Sequence, residues 1–270
     1  MFIYSNYKVC NGDAMQLSAN TNNHVYPNGG KILIDNKKET VNIGLITDSH
    51  IGYAKQKVDF MDLVDVLRRD YGCELIILLG DILDFWRRGI DYVISKNKHL
   101  IKFLINSPDI YYIRGNHDYV VDRIISKPIY DKIQLNLLNN VGMDTIYLKH
   151  GYDIDVNMSS NCLSLNQYLD IAEKLCYTNN IVGEVLSDIW NIHKYIDMLL
   201  LWENRKKEYI KACELVSAVK KDNECIIFGH YHKEYLDYKS HVFTLYDSNK
   251  CAYVLSISPD DYKILKYPII

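Results

Sequence analysis

The chain is predicted to be an α/β protein. Apolar, β-branched runs alternate with amphipathic helical stretches from Val41 to about Lys149, the pattern of a sheet with helices packed on it. Short clusters of metal-binding residue types follow these runs: VNIGLIT before Asp48 and His50, CELIILL before Gly80-Asp81 with Asp84, IYYIR before Gly115-Asn116 with His117, TIYLK before His150, and ECIIF before His230 and His232. Open α/β sheets present their ligand sites beyond the carboxyl ends of their strands. The repeated placement therefore gathers residues far apart in sequence at one rim.

Taken in order, residues 1–40 are rich in Asn, Gly and Lys and carry turn signals at Asn11-Gly12 and Pro27-Asn28-Gly29-Gly30. They read as an N-terminal extension, a hairpin at most, with no assigned chemistry. Residues 41–270 read as one domain. Its first helix shows a buried stripe of Phe60, Leu63, Val64 and Leu67 among charges. Between about residues 160 and 222 the strand signal gives way to helical periodicity through Leu165 to Leu175, Val182 to Trp202 and Tyr209 to Val219, so a helical insertion interrupts the sheet. This segment holds Trp190, Tyr195, Met198, Leu199, Leu200, Leu201 and Trp202, more apolar bulk than one buried helix face needs. Packing on the core is its main expected use; a lid beside the site, or a homodimer surface, is the other. After His232 the runs YLDY, HVFTLY and CAYVLSI, separated by turn residues, read as an antiparallel meander.

Composition narrows the function classes. With 48% hydrophobic residues the chain can bury a large core, and its formal charge of -3 includes no long block of like charge. There is no strong nucleic-acid signal; Arg205-Lys206-Lys207 and Lys220-Lys221 read as solvated helix faces. The seven cysteines, Cys10, Cys73, Cys162, Cys176, Cys213, Cys225 and Cys251, form no Cys-x-x-Cys pair, which fits reduced thiols in the cytoplasm. Cys73 and Cys225 open strands and read as core residues. The start, MFIYSNYKVCNGD, lacks the basic and apolar regions of a secretory signal. The most apolar run, Met198 to Trp202, is far shorter than the roughly 20 residues of a membrane span. A soluble cytoplasmic protein is expected.

The clusters supply enough ligands for two divalent cations. Asp48 and His50, two residues apart at a strand end, offer a carboxylate and an imidazole to one metal face. Asp81 can bridge two cations or cap a helix, Asn116 offers an amide oxygen, and His150, His230 and His232 offer imidazoles. Each has an ordinary reading alone: a turn acid, an Asx turn, a hydrogen-bonded core imidazole. Five such clusters in this order do not.

The series Asp48-Ser49-His50, Gly80-Asp81-x-x-Asp84, Gly115-Asn116-His117-Asp118, His150-Gly151 and Gly229-His230-Tyr231-His232 resembles the calcineurin-like metallophosphoesterase superfamily over about Val41 to Asp237. In motif style, with Gly-Asp-x-x-Asp-x-Trp ending at Trp86, it is most similar to the UDP-2,3-diacylglucosamine pyrophosphatase branch, differing in His117 where that branch usually has arginine. The resemblance implies a four-layer α/β/β/α sandwich with a dinuclear centre at the rim. It further implies that Asp48, His50, Asp81 and His232 hold one metal, that Asp81, Asn116, His150 and His230 hold the other, and that His117 is the catalytic histidine. The implied activity is hydrolysis of a small-molecule phosphodiester, pyrophosphate or phosphomonoester by a metal-bridging hydroxide, with His117 serving the leaving oxygen and a UDP-2,3-diacylglucosamine pyrophosphatase-like hydrolase or a nuclease of the same superfamily as the alternatives. Mn²⁺ is the first choice of ion; mixed oxygen and imidazole ligands also suit Fe, Zn, Co or Ni. Asp84 either orients His117 or caps a helix. Arg87, Arg88 and Asn116 are the candidates for contact with the substrate phosphate; Asp153 and Asp155 read as solvated loop acids, with support of the metal ligands as the alternative, and Arg114 as an ion-paired side chain or a phosphate contact.

Overall fold

The computed structural model describes residues 25–28, 30–35, 40–53, 56–138, 142–158, 164–177, 185 and 208–269. Among these residues two sheets are built. The strands are β1 (Val25–Asn28), β2 (Lys31–Ile34), β3 (Val41–Ile46), β4 (Leu75–Leu79), β5 (Ile110–Ile113), β6 (Ile129–Tyr130), β7 (Lys132–Leu137), β8 (Thr145–Lys149), β9 (Glu224–Phe228), β10 (Tyr235–Asp237), β11 (Val242–Thr244), β12 (Cys251–Ile257) and β13 (Tyr262–Pro268). One sheet has the order β13-β12-β3-β4-β5-β6, the other β1-β2-β7-β8-β9-β11-β10. The helices are α1 (Phe60–Arg69), α2 (Phe85–Arg88), α3 (Ile90–Lys96), α4 (Lys98–Asn106), α5 (Tyr152–Met158), α6 (Leu165–Cys176) and α7 (Glu208–Val219).

Strand periodicity explains the layering. Successive side chains on a strand point to opposite faces, and Val41, Ile43 and Leu45 of β3 join Leu75, Ile77 and Leu79 of β4 in the core between the sheets, with Ile133, Leu135, Ile146, Leu148, Cys225 and Ile227 facing them. The alternate residues Ile46, Ile76 and Leu78 pack outward against α1 and α4, including Leu63, Leu67 and Leu104. Across the other sheet Phe228 and Val242 pack with Ala212, Cys213 and Val216 of α7. Both faces of β3 and β4 are therefore buried, which is why they read as continuous apolar runs. The result is the expected α/β/β/α sandwich.

Helix α1 buries the expected stripe, Phe60, Leu63, Val64 and Leu67, and is capped by Asp59, whose carboxylate accepts from the Met61 and Asp62 amides. Strands β1 and β2 pair antiparallel, and the inner strand β2 pairs in parallel with β7, carrying Ile32 and Ile34 into the intersheet core. Of the helical segment expected at 160–222, α6 and α7 are helices; the stretch holding Trp190, Tyr195, Met198 and Trp202 lies outside the described residues. The C-terminal strands differ from a single meander. Hairpin β10-β11 closes one sheet, with β11 parallel to β9, whereas β12 crosses to the other sheet and runs antiparallel to β3 and β13. No described helix is long and apolar enough to cross a membrane.

Candidate metal centre

Strands β3, β4 and β5 run parallel, as do β8 and β9 in the facing sheet. Their carboxyl-end loops meet across the gap between the sheets. The Asp48 amide donates to Gly80 O (3.1 Å) and the His50 amide to Asp81 O (2.9 Å), tying the first loop to the second. The Gly229 amide donates to His150 O (2.9 Å), and the His230 amide to Asp48 Oδ2 (3.0 Å), which joins the two sheets.

Seven predicted ligands converge through one carboxylate. His232 Nε2 lies 3.2 Å from Asp48 Oδ1 and 3.2 Å from His50 Nε2, and His50 Nε2 lies 4.0 Å from Asp81 Oδ2. On the other side His150 Nε2 is 3.2 Å from the same Asp81 Oδ2, 3.2 Å from Asn116 Oδ1 and 3.3 Å from His230 Nδ1. The groups Asp48-His50-His232 and Asp81-His150-His230 each place ligand atoms within 4.8 Å of one another. All seven except His230 and His232 are buried.

The donor chemistry fits a cation. His150 Nδ1 is 2.7 Å from Leu79 O; a carbonyl accepts, so Nδ1 carries the proton and Nε2 presents a lone pair to two further acceptors. His50 repeats this, with Nδ1 3.2 Å from Asp84 Oδ2. Buried Asp48 Oδ1 accepts no well-aligned hydrogen bond and faces His232 Nε2 at 3.2 Å. Converging acceptors of this kind need a positive charge among them. In the protein alone a proton serves: burial lowers the pKa of His150, but Asp81 and Asp48 outweigh it and raise it to about 10. Burial opposes ionisation of Asp81 too, yet His150 and His117 hold its carboxyl well below the usual range. A metal entering this site would displace such protons.

The backbone is bent to make this arrangement. Asp48, His50, Asp81, His230 and His232 all have positive φ, between 48° and 71°, a conformation costing a non-glycine residue about 1–2 kcal/mol. His241 is the other described non-glycine residue with positive φ. Strain of this sort persists where the surroundings over-determine it, commonly at functional sites. Glycine is required at Gly115 by close approach: a Cβ there would sit 2.1 Å from Asp81 Oδ1 and 2.4 Å from Asp81 N.

Asp84 makes both of the contacts that the sequence offered as alternatives. It caps α2 by accepting from the Arg87 amide, and it places Oδ1 3.2 Å from His117 Nδ1 and Oδ2 3.2 Å from His50 Nδ1. Burial resists its ionisation, but His117 and His50 keep its carboxyl well below the ordinary value. The His117 amide donates to Asp81 Oδ1 at 2.8 Å. For the His117 side chain burial outweighs the pull of Asp84 and Asp81, and its pKa is lowered. Arg87 gives an N–H to Asp84 Oδ2 (2.5 Å) and lies over the Tyr53 ring at 4.6 Å, while Arg88 faces Tyr53 and Tyr92 at 5.7 and 5.9 Å. Asn116 is drawn into the ligand cluster rather than outward.

Other predicted side chains fall as follows. Arg114 pairs with Asp131 (2.9 Å) and Asp122, and Asp153 pairs with Lys149. Asp155, read as a solvated acid or as a support of the ligands, lies 3.4 Å from His230 Nε2. Of the histidines that belong to no cluster, His99 is exposed and His241 meets the Tyr262 hydroxyl, while His24 and His193 lie outside the described residues. Sequence reasoning assigned no role to Asp118. Fully buried, it accepts from the Gly115 amide (2.6 Å), the Ile82 amide (2.8 Å) and the Tyr112 hydroxyl (2.6 Å), locking the Asp81 loop to the Asn116 loop. The signal for it was its place in the Gly-Asn-His-Asp block. Asp247, 3.9 Å from His232 Nδ1, had no such signal.

A family model described as calcineurin-like phosphoesterase matches residues 41–234. Similar solved structures include a dimetal phosphatase from Danio rerio (14% identity, covering 85% of this chain and 96% of that one, TM-score 0.43). Yfce, a phosphoesterase from E. coli, shares 14% identity over 85% of this chain and 100% of its own, TM-score 0.43. The calcineurin-like phosphoesterase YfkN from Bacillus subtilis shares 12% identity over 85% and 91%, TM-score 0.41. No curated protein sequence matches.

Proposed function

As the chain belongs to the calcineurin-like phosphoesterase family, we propose that it hydrolyses a small-molecule phosphodiester, pyrophosphate or phosphomonoester with two divalent metal ions, Mn²⁺ first among them. The observation that supports this best is the continuous line of ligand atoms from Asp48 through Asp81 Oδ2 to His230. Asp48, His50, Asp81 and His232 would hold one ion, and Asp81, Asn116, His150 and His230 the other. Bound there, the ions neutralise an anionic ester and acidify water.

The chain's own groups then do the remaining work. Asp84 fixes the proton of His117 on Nδ1, leaving Nε2 to exchange a proton with the leaving oxygen. Burial lowers the pKa of His117; an anionic ester beside it raises its affinity for a proton. Arg87, anchored by Asp84 and Tyr53, and Arg88 present positive charge beside this end of the site.

Turnover with Mn²⁺ on a bis-aryl phosphate, an aryl monophosphate, a UDP-sugar and single-stranded DNA tests the proposal. Hydrolysis of at least one aryl ester is expected. Cleavage confined to DNA would favour a nuclease, preference for the UDP-sugar would favour the nucleotide-pyrophosphatase branch, and no cleavage of any member would refute the proposed activity.

A further inference from the structure

Trp86 lies face to face with His117: their ring centroids are 4.2 Å apart with planes inclined by 24°. The indole is 6% exposed, and its N–H donates to Ala172 O on α6 at 3.1 Å. One turn further along the same helix, the Cys176 thiol points at His117 O, 3.7 Å away. Ala172 and Cys176 are both fully buried and, four residues apart, share one face of α6. Helix α6 thus grips both partners of the stack.

A hydrogen bond at Nδ1 alone does not fix an imidazole plane, because the χ2 torsion of histidine is broad. Asp84 constrains the ring edge, and His50 meets the ring at 4.7 Å with planes inclined by 82°. The face contact must come from elsewhere, and Trp86 supplies it. An ordinary core tryptophan would stack on whatever lay nearby without effect on chemistry. Here the partner is the proposed proton donor, and the indole sits two residues after the acid that orients the same ring.

We propose that Trp86 is a positioning residue that holds the His117 ring in its working plane, and that α6 holds Trp86 in turn. This rests on the proposed role of His117 in serving the leaving oxygen. General acid–base groups contribute about 10²–10⁴-fold, and small misplacements cost about 10²-fold, so a disordered His117 ring should cost about tenfold or more where protonation matters.

The test compares Mn²⁺-loaded full-length wild type, W86L, W86F, H117A and W86L/H117A on an activated nitrophenyl phosphodiester and an unactivated alkyl phosphodiester. In W86L kcat on the alkyl ester should fall about tenfold more than kcat on the nitrophenyl ester, with KM little changed. The double variant should be no slower than H117A, and W86F, which keeps a ring face, should retain the wild-type ratio between the esters. Multiplying losses in W86L/H117A, equal losses of W86L on both esters, or a shifted ratio in W86F would each overturn the proposal. The W86F ratio decides alone if W86L does not fold. Equal losses of H117A on both esters would instead remove the proton-donor role of His117, an outcome read separately from the coupling.

Discussion

Asp84 Oδ1 lies 3.2 Å from His117 Nδ1 while the other oxygen of the same carboxylate lies 3.2 Å from His50 Nδ1. One buried acid therefore sets the tautomer of a proposed metal ligand and of the proposed proton donor together. Asparagine remains a good helix cap but can accept through only one oxygen. Asp84→Asn should leave α2 and the fold intact, weaken metal binding about 10–100-fold and lower kcat by a similar factor. Metal titration beside steady-state kinetics checks both; a change in only one would show that the two imidazoles are oriented independently.

Asp81 carries the heaviest load at the site, facing His150 and His50 with Oδ2 and receiving the His117 amide on Oδ1. Asp81→Asn removes the charge shared by both halves of the cluster. Turnover should fall by about 10³-fold or more, since groups acting as a unit lose most of their effect together, with loss of bound metal by elemental analysis. An almost unchanged rate with intact metal content would exclude a shared carboxylate.

The Asp118 carboxylate accepts from three amides and a hydroxyl and is fully buried. In Asp118→Asn one oxygen becomes an NH₂ group facing donors, so a buried donor is left unpaired at a cost of about 1–3 kcal/mol. Urea unfolding should show that loss as a lower midpoint at unchanged slope. A midpoint equal to wild type would mean that the Asp81 and Asn116 loops are held by other contacts.

Gly115→Ala is expected to be worse than its size suggests. The added methyl would meet backbone and carboxylate atoms of Asp81, neither of which is a flexible chain end. Overpacking of this kind costs about 1–3 kcal/mol or more. Thermal unfolding together with metal content should show both reduced, whereas a stable, fully metallated variant would contradict the close approach.

The ligand clusters were legible because each follows an apolar, strand-like run, most clearly β3 and β4, which are buried on both faces and stop abruptly before Asp48 and Asp81. Helix α1 was legible from the spacing of Phe60, Leu63, Val64 and Leu67. The parallel pairing of β2 with β7 was not, since Lys31 meets Gln134 across about a hundred residues of chain. The alternation in KIQLNL of β7 was a local strand signal that could have been used. Nor could sequence show that β12 leaves one sheet for the other, because its run CAYVLSI suits either. Asp118, Asp155 and the Trp86 stack depend on how separate loops meet, and spacing along the chain carries no record of that.

The most direct measurement is crystallographic anomalous scattering from Mn²⁺-soaked protein, read with metal content by elemental analysis. Two ions per chain are expected, about 3.5–4 Å apart, with Asp81 between them, Asp48, His50 and His232 on one and Asn116, His150 and His230 on the other. A single ion, or none at any loading, would contradict a dinuclear centre.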